Sequence, residues 1–398
     1  MKIKEIGEKI KIGIDKIGFA MPKYFLDIRD LAIGRNENAN KFVKGLMQSE
    51  MSIAPVTEDI VALGASAAEQ ILDEEDKENI EMVIVGTESG IDQSKASAVF
   101  IHGLLGIQPF VRAIEVKEAC YGATAALDFA KNHVMNNPES KVLVIASDIA
   151  KYGIKSSGES TQGAGSCAMV VSSNPRILEF NNDNVCLTRD VMDFWRPNYS
   201  HYAFVEGRFS TEQYLDCLTT TWDRFIKKSK NNLNNFSAVC LHLPYPKLGL
   251  KGLNSLLEQA EENKKEELLA RFNESILYSQ RVGNIYTGSL FLGLLSLLEN
   301  NTTLEAGDKI ALYSYGSGAV AEVFSMTLVD GYKEQLRDNR FEDFASRTRI
   351  SIEEYENMFF RDTTVDEEGN LDISDIQDES KFILEKIENH KRIYKKQV

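Results

Sequence analysis

Five short runs in this chain are apolar from end to end: Met82–Val85, Val142–Ala146, Ala168–Val171, Ala238–Leu241 and Ile310–Tyr313. A strand with one wet face alternates apolar and polar residues, whereas a strand without alternation is covered on both faces by helices. Longer stretches with helical spacing lie between these runs, at Ile60–Leu72, Ala123–Val134, Glu212–Lys228, Leu253–Arg271 and Gly288–Leu298. The alternation predicts an α/β fold with helices layered on a sheet. At 398 residues the chain exceeds one ordinary core, so two units are expected.

The order of parts repeats although the letters do not. A buried strand ends near Gly86-Thr87-Glu88-Ser89, and a helix, an extended run ending at Cys120 and another helix follow. Near residue 240 a buried strand ends at His242, helices follow, then Val282-Gly283-Asn284 and another helix. Each series closes on a strand followed by small residues, Val142–Asp148 and Ile310–Gly318. A duplicated architecture is therefore expected, with halves 1–175 and 176–398 divided at the turn Ser172-Ser173-Asn174-Pro175. Beyond Gln335 the sequence is densely charged, and its periodic parts, Ile352–Phe360 and Phe382–Tyr394, read as solvated surface helices.

Bulk properties exclude several classes. Sixty acidic residues against 45 basic ones give a formal charge of −15, which repels nucleic acid. An anionic ligand would need a local basic patch. The five cysteines are widely spaced and match neither a zinc knuckle nor a disulfide framework. The opening MKIKEIGEKIKIGIDKIG has no apolar core for a signal peptide, and no run is long enough to span a membrane. A cytoplasmic protein with reduced thiols is expected.

Three residues stand where such a fold puts chemistry. Cys120 lies between an extended run and the helix starting near Ala123, where the helix dipole would lower its pKa and favour the thiolate; a buried structural cysteine is the alternative. His242 ends a buried strand and enters the proline-containing loop Leu243-Pro244-Tyr245, at the carboxyl edge of the sheet where such folds place their sites; a satisfied core histidine is the commoner alternative. Glu88 ends another buried strand, where a carboxylate is costly unless it is paired or used, or caps a helix. The glycine runs Gln162–Ser166 and Ser314–Gly318 could offer backbone N–H groups to an oxyanion, and otherwise are turns. Lys247 and Lys251, four apart after His242, are either a solvated helix face or cations for a phosphate-bearing ligand.

Taken together, the segments GTESGIDQSKA (86–96), KEACYGAT (117–124), DFWRP (193–197), HLPYPKLGLK (242–251), VGNIYTGSL (282–290) and SYGSG (314–318) resemble the hydroxymethylglutaryl-CoA synthases, and particularly their bacterial form. The resemblance runs from Ile12 to about Gly331. It implies the thiolase-like five-layer αβαβα fold with two duplicated halves, usually dimeric. By position, Cys120 matches the acetylated nucleophile, Glu88 the general acid/base and His242 the residue that orients the second substrate. Thr161, Ser210, Asn284 and Ser317 match positions that contact the acyl group, and Lys247 and Lys251 the basic residues near coenzyme A.

The implied reaction joins acetyl-CoA, acetoacetyl-CoA and water into 3-hydroxy-3-methylglutaryl-CoA and free coenzyme A, a step of the mevalonate route to isoprenoids. It requires no metal and no redox cofactor. Two related condensing enzymes share much of the residue set: ketoacyl synthases, and synthases that install β-branches on carrier-protein-bound polyketides. A non-catalytic protein that retains the fold is the reading from another class. Four positions depart from the bacterial pattern: Ser160 stands for a usual proline, Asn38-Ala39 for Asp-Pro, and Met47 for glycine.

Overall fold

The computed structural model describes residues 10–397, so the first half of the charged opening segment lies outside the described residues. Twelve strands and eight helices position the site. The strands are β1 (Ile12–Ala20), β2 (Ile80–Gly86), β3 (Arg112–Val116), β4 (Lys141–Ile149), β5 (Ala164–Ser173), β6 (Leu178–Phe180), β7 (Val185–Thr188), β8 (Ala238–Leu241), β9 (Lys309–Gly316), β10 (Val320–Leu328), β11 (Phe382–Glu388) and β12 (Lys391–Lys396). The helices are α1 (Ile60–Glu69), α2 (Ser97–Leu105), α3 (Gly122–Asn136), α4 (Gly207–Ser229), α5 (Pro246–Leu257), α6 (Glu262–Ser275), α7 (Ser289–Asn300) and α8 (Ile352–Phe360).

Ten strands form one sheet in the order β8-β9-β10-β6-β1-β5-β4-β2-β3, with β7 also paired to β10. It consists of two half-sheets joined by the short β6, which pairs with β1 on one side and β10 on the other. In the first half β2 runs parallel to β4, and β4 antiparallel to β5. In the second, β8 runs parallel to β9, and β9 antiparallel to β10. The two halves therefore repeat, with Cys120 before α3 and Asn284 before α7 in equivalent places. Among the described residues, strand β3 has no counterpart in the second half.

Because side chains alternate across a strand, the all-apolar strands feed two cores at once. Ile84, Val142 and Val144 of one half-sheet and Cys240, Ile310 and Leu312 of the other pack on α3 and α7 between them. Val83, Val85 and Ile145 point the other way, onto α1 and α2, while Val239, Leu241 and Ala311 face α4 and α5. The result is five layers, helix–sheet–helices–sheet–helix. Helix α7 is buried from Ser289 through Leu298, as an inner-layer helix with no solvent face must be.

Two expectations are corrected. Leu253–Arg271 is not one helix but the end of α5 and most of α6. The indole N–H of Trp222 donates to Gln259 Oε1 at 3.1 Å and Asn234 Oδ1 receives the Glu261 N–H at 3.0 Å, so tertiary bonds break a continuous helical pattern. Phe382–Tyr394 is not a surface helix but the hairpin β11–β12. Its turn residues Asn389 and His390 have φ of 49° and 63°, the conformation of a two-residue hairpin loop. Phe382 and Leu384 are fully buried, and Phe382 joins the core under α1 and α2. Ile352–Phe360 is the helix α8, capped by Ser351.

Candidate active site

Two glycines let the backbone close around Cys120. A Cβ on Gly86 would lie 2.4 Å from the Ala123 nitrogen, so only glycine allows the end of β2 to meet the start of α3. A Cβ on Gly316 would lie 2.5 Å from the Glu118 carbonyl oxygen, and its absence brings the Ser317 loop onto the Cys120 turn. Strained residues flank the equivalent turns of both halves: Ala119, φ 40°, precedes Cys120, and Tyr286, φ 44°, follows Asn284.

The Cys120 Sγ–H donates to Glu88 Oε1 at 3.1 Å. Burial and then the neighbouring Asp148 carboxylate push the Glu88 carboxyl up to about 8, against the thiol hydrogen bond and Arg196, which hold it down. Burial and the charge of Glu88 push the Cys120 thiol well above its ordinary value. The expected thiolate is thus corrected. Cys120 is a neutral thiol in the resting site because desolvation and a carboxylate 3.1 Å away outweigh the dipole of α3.

Cys120 lines a cleft together with Thr161, Ser210, His242, Asn284 and Ser317, so the fold unites six predicted residues from both halves, with Glu88 joined through its bond to the thiol. The cleft has about 1060 Å³ of empty space, part of it open to solvent. Lys247 and Lys251 do not line it. They stand four apart on the first turns of α5, Lys247 half-buried and Lys251 exposed, next to the lining residue Leu248. The glycine run at 163–165 does not reach the cleft either: a Cβ on Gly163 would strike the Val282 carbonyl at 2.5 Å, so this run serves packing.

His242 is 2% exposed, and burial lowers its pKa to about 3, leaving a neutral imidazole. Its backbone is fixed from both ends, the N–H donating to Tyr313 O and the carbonyl accepting from Tyr214 Oη, each at 2.8 Å. The Asn284 amide oxygen accepts from the Tyr286 N–H and the Ser289 hydroxyl, both at 2.9 Å, and its Nδ2 donates to Tyr152 Oη at 2.8 Å. That leaves one amide hydrogen for a ligand.

Two buried aspartates outside the predicted set hold these parts in place. Asp148, at the end of β4, accepts through Oδ1 from Thr87 Oγ1 (2.8 Å), the Glu88 N–H (2.9 Å) and Ser89 Oγ (2.8 Å). Its Oδ2 accepts from the N–H (3.1 Å) and hydroxyl (2.5 Å) of Thr287, in the turn that follows Asn284 in the second half. Asp148 therefore ties the Glu88 loop to the Asn284 turn. Asp193, fully buried at the head of DFWRP, accepts from the Gly318 N–H (2.9 Å), Tyr315 Oη (2.8 Å) and Ser210 Oγ (3.2 Å), which fixes the Ser317 loop.

Asp148 carries the same sequence signal as Glu88, a carboxylate ending an apolar strand. Tyr152, Phe194 and Tyr286 also lie outside the predicted set. They form an aromatic triangle on the cleft wall with centroids 5.9–6.1 Å apart, and aromatic residues in elements of two or three residues or in loops carry no periodic signal. Among the described residues no cluster of His, Cys, Asp and Glu could hold a metal ion, and no helix is long and apolar enough to cross a membrane.

Comparison with known proteins gives a consistent result. Residues 9–175 match the family model "Hydroxymethylglutaryl-coenzyme A synthase N terminal", and residues 182–270 and 258–397 match the corresponding C-terminal model. The chain is 51% identical over 387 residues to the hydroxymethylglutaryl-CoA synthase of Enterococcus faecalis, covering 96% of this chain and 99% of that one. It is 31% identical to the polyketide biosynthesis 3-hydroxy-3-methylglutaryl-ACP synthase PksG of Bacillus subtilis, covering 88% of each. A crystal structure of HMG-CoA synthase complexed with CoA superposes with a TM-score of 0.95 at 56% identity, covering 97% of this chain and 100% of that one.

Proposed function

The chain belongs to the hydroxymethylglutaryl-CoA synthase family, and from this premise we propose that it condenses acetyl-CoA with acetoacetyl-CoA and water, yielding 3-hydroxy-3-methylglutaryl-CoA and free coenzyme A. The observation that carries the reading is the Cys120–Glu88 hydrogen bond of 3.1 Å in a cleft that also holds His242.

In the first step Cys120 Sγ attacks the acetyl-CoA carbonyl while its proton passes to the Glu88 carboxylate, and coenzyme A leaves with a proton. The thioester keeps the acetyl methyl acidic, and Glu88 in its ionised form removes a proton from it. The resulting carbanion attacks the ketone carbon of acetoacetyl-CoA. Neutral His242 donates a hydrogen bond to that ketone oxygen, and protonated Glu88 returns a proton to the new alkoxide. Backbone N–H groups at Cys120 and Ser317 stabilise the developing oxyanions. Water then cleaves the Cys120 thioester, which frees the product carboxylate and restores the thiol. Asn284, Thr161 and Ser210 orient the acyl groups, while Lys247 and Lys251 attract the phosphates of coenzyme A outside the cleft.

Loss of acetoacetyl-CoA enolate absorbance on adding acetyl-CoA tests the reaction, and intact-mass analysis tests the acyl-enzyme. Cys120→Ser is expected to stay folded and gain no acetyl group; acetylation of that variant at the wild-type level would overturn the assignment of the nucleophile. A preference for acetoacetyl-carrier protein over acetoacetyl-CoA would move the enzyme to the polyketide branch.

A homodimer is part of the same reading. Among the described residues strand β3 pairs with β2 on one side only and ends the sheet, and Phe110 and Ile114 nearby are 89% and 41% exposed. An open edge of this kind is normally covered, here by the same edge of a second copy. Light scattering that returns a monomer at micromolar concentration would count against it.

A further inference from the structure

A second cleft, with no lining residue in common with the first, opens beside the Glu88 loop. Ser89 and Ile149 form part of its wall, and five basic side chains reach it: Lys151, Arg196, His201, Arg361 and Arg392. Two of these are matched by carboxylates, Arg361 by Asp375 and Arg392 by Asp59 at 3.0 Å. Among the described residues the remaining three are not. Lys151 is half-buried beside the ring of Phe359, 5.4 Å from its centroid, and no carboxylate stands within ion-pair distance of it among the described residues. Arg196 donates to the backbone carbonyl of Glu88. The acids on the wall leave this charge in place. Asp59 is engaged by Arg392 and Tyr394, and Glu58 is held protonated by burial. Asp362 feels Lys151 and His201 but forms an ion pair with neither, and its carboxylate accepts the Thr364 N–H.

Two cations without an ion-pair partner among the described residues and a histidine converge on one cleft, in a chain of net charge −15, and together they make a receptor for an anion. We propose that this cleft binds a phosphate-type oxyanion through Lys151, Arg196 and His201, and that the anion acts on condensation through Arg196. A planar guanidinium and an ammonium facing one space suit a multivalent oxyanion better than a single carboxylate. An anion that recruits the Arg196 guanidinium weakens its hold on the Glu88 peptide and shifts the carboxyl relative to Cys120.

Calorimetric titration of the full chain with inorganic pyrophosphate tests the site. Saturable binding is expected, weakened about tenfold by Lys151→Gln and about threefold by His201→Gln. His201 is exposed, so its variant keeps the test independent of the packing around Lys151. The double variant Lys247→Gln, Lys251→Gln separates this cleft from the first one. Binding that survives Lys151→Gln and His201→Gln unchanged, or that disappears in the double variant instead, overturns the site, as does an absence of binding to the wild type. The coupling rests on Glu88 acting as base, whereas the binding does not. Pyrophosphate is expected to slow single-turnover condensation severalfold in the wild type and not in Lys151→Gln; binding without any change in rate would leave the site and refute its link to Glu88.

Discussion

Asp148→Asn is the substitution that separates support from chemistry most clearly. The aspartate accepts five hydrogen bonds, three on Oδ1 and two on Oδ2. An asparagine does best by keeping its oxygen toward Thr87, Glu88 and Ser89 and turning its NH2 group toward Thr287. The Thr287 hydroxyl can then donate to Gly86 O, 3.0 Å away, and accept from the new amide. The Thr287 N–H cannot turn and loses its acceptor. An orphaned buried donor costs about 1–3 kcal/mol, and the three remaining bonds lose their charge assistance. Relief of a buried charge offsets part of this, since burial already raises the Asp148 pKa. The net expectation is a loss of about 3 kcal/mol, read from urea unfolding. The same change removes the carboxylate that helps to raise the Glu88 pKa. The pH midpoint of single-turnover condensation should therefore move down, by about one unit. A variant with wild-type stability, or with its midpoint unmoved or higher, would refute the reasoning.

Glu88→Gln is expected to leave the cleft intact and to lower condensation by about 10²-fold or more, measured on pre-acetylated enzyme. With Glu88 raised to about 8, its basic form grows as pH rises, so wild-type condensation should climb through about pH 8 and the Gln variant should lose that dependence. Glu58, 3% exposed and likewise raised to about 8, is protonated in the fold and ionises more readily when unfolded, so it lowers stability as pH rises from 4.5 to about 8. Glu58→Gln should recover on the order of 3 kcal/mol at pH 9 relative to pH 5, and an unchanged pH–stability curve would count against the buried acid. Phe382→Ala should cost about 3–5 kcal/mol in denaturant unfolding, because the side chain is fully buried under α1 and α2; an effect below about 1 kcal/mol would mean that the hairpin is only a surface appendage.

Much of the architecture was legible because its strands are buried on both faces. Met82–Val85 and Ile310–Tyr313 can be neither amphipathic helices nor half-wet strands, so their layered surroundings follow from their composition. The hairpin at 382–396 was misread because a bulge between Leu384 and Lys386 breaks the alternation that identifies a strand. Its turn, Asn389-His390, carries no glycine to announce it. The split at 258–261 was invisible for another reason, since the bonds from Trp222 and to Asn234 come from other parts of the chain. At the site, Cys120, Glu88 and His242 stood out as reactive groups at element ends. Their ionisation did not, because it depends on the folded surroundings: the Cys120 thiol is raised by burial and then by a carboxyl 32 positions earlier in the chain.

That dependence also explains how a neutral thiol fits the proposed reaction. A carboxylate with an ordinary pKa of 4.5 is a weak base toward a carbon acid, and raising it to about 8 strengthens it. The same shift leaves only about one molecule in ten ionised at pH 7, a compromise that general-base catalysis tolerates because the ionised fraction falls while reactivity rises. A Cys120 thiolate beside ionised Glu88 would place two negative charges 3.1 Å apart in a desolvated cleft, which like-charge repulsion opposes. In the fraction with Glu88 ionised the pair shares one proton and avoids that state: the proton leaves sulfur only as the new carbon–sulfur bond removes its charge. Once the thioester has formed, sulfur no longer competes for the carboxyl, and Glu88 is free to act on the acetyl methyl. The order of the two half-reactions thus follows from which group holds the proton, and burial, with the Asp148 carboxylate adding to it, raises the Glu88 pKa and so sets how readily the carboxyl takes it.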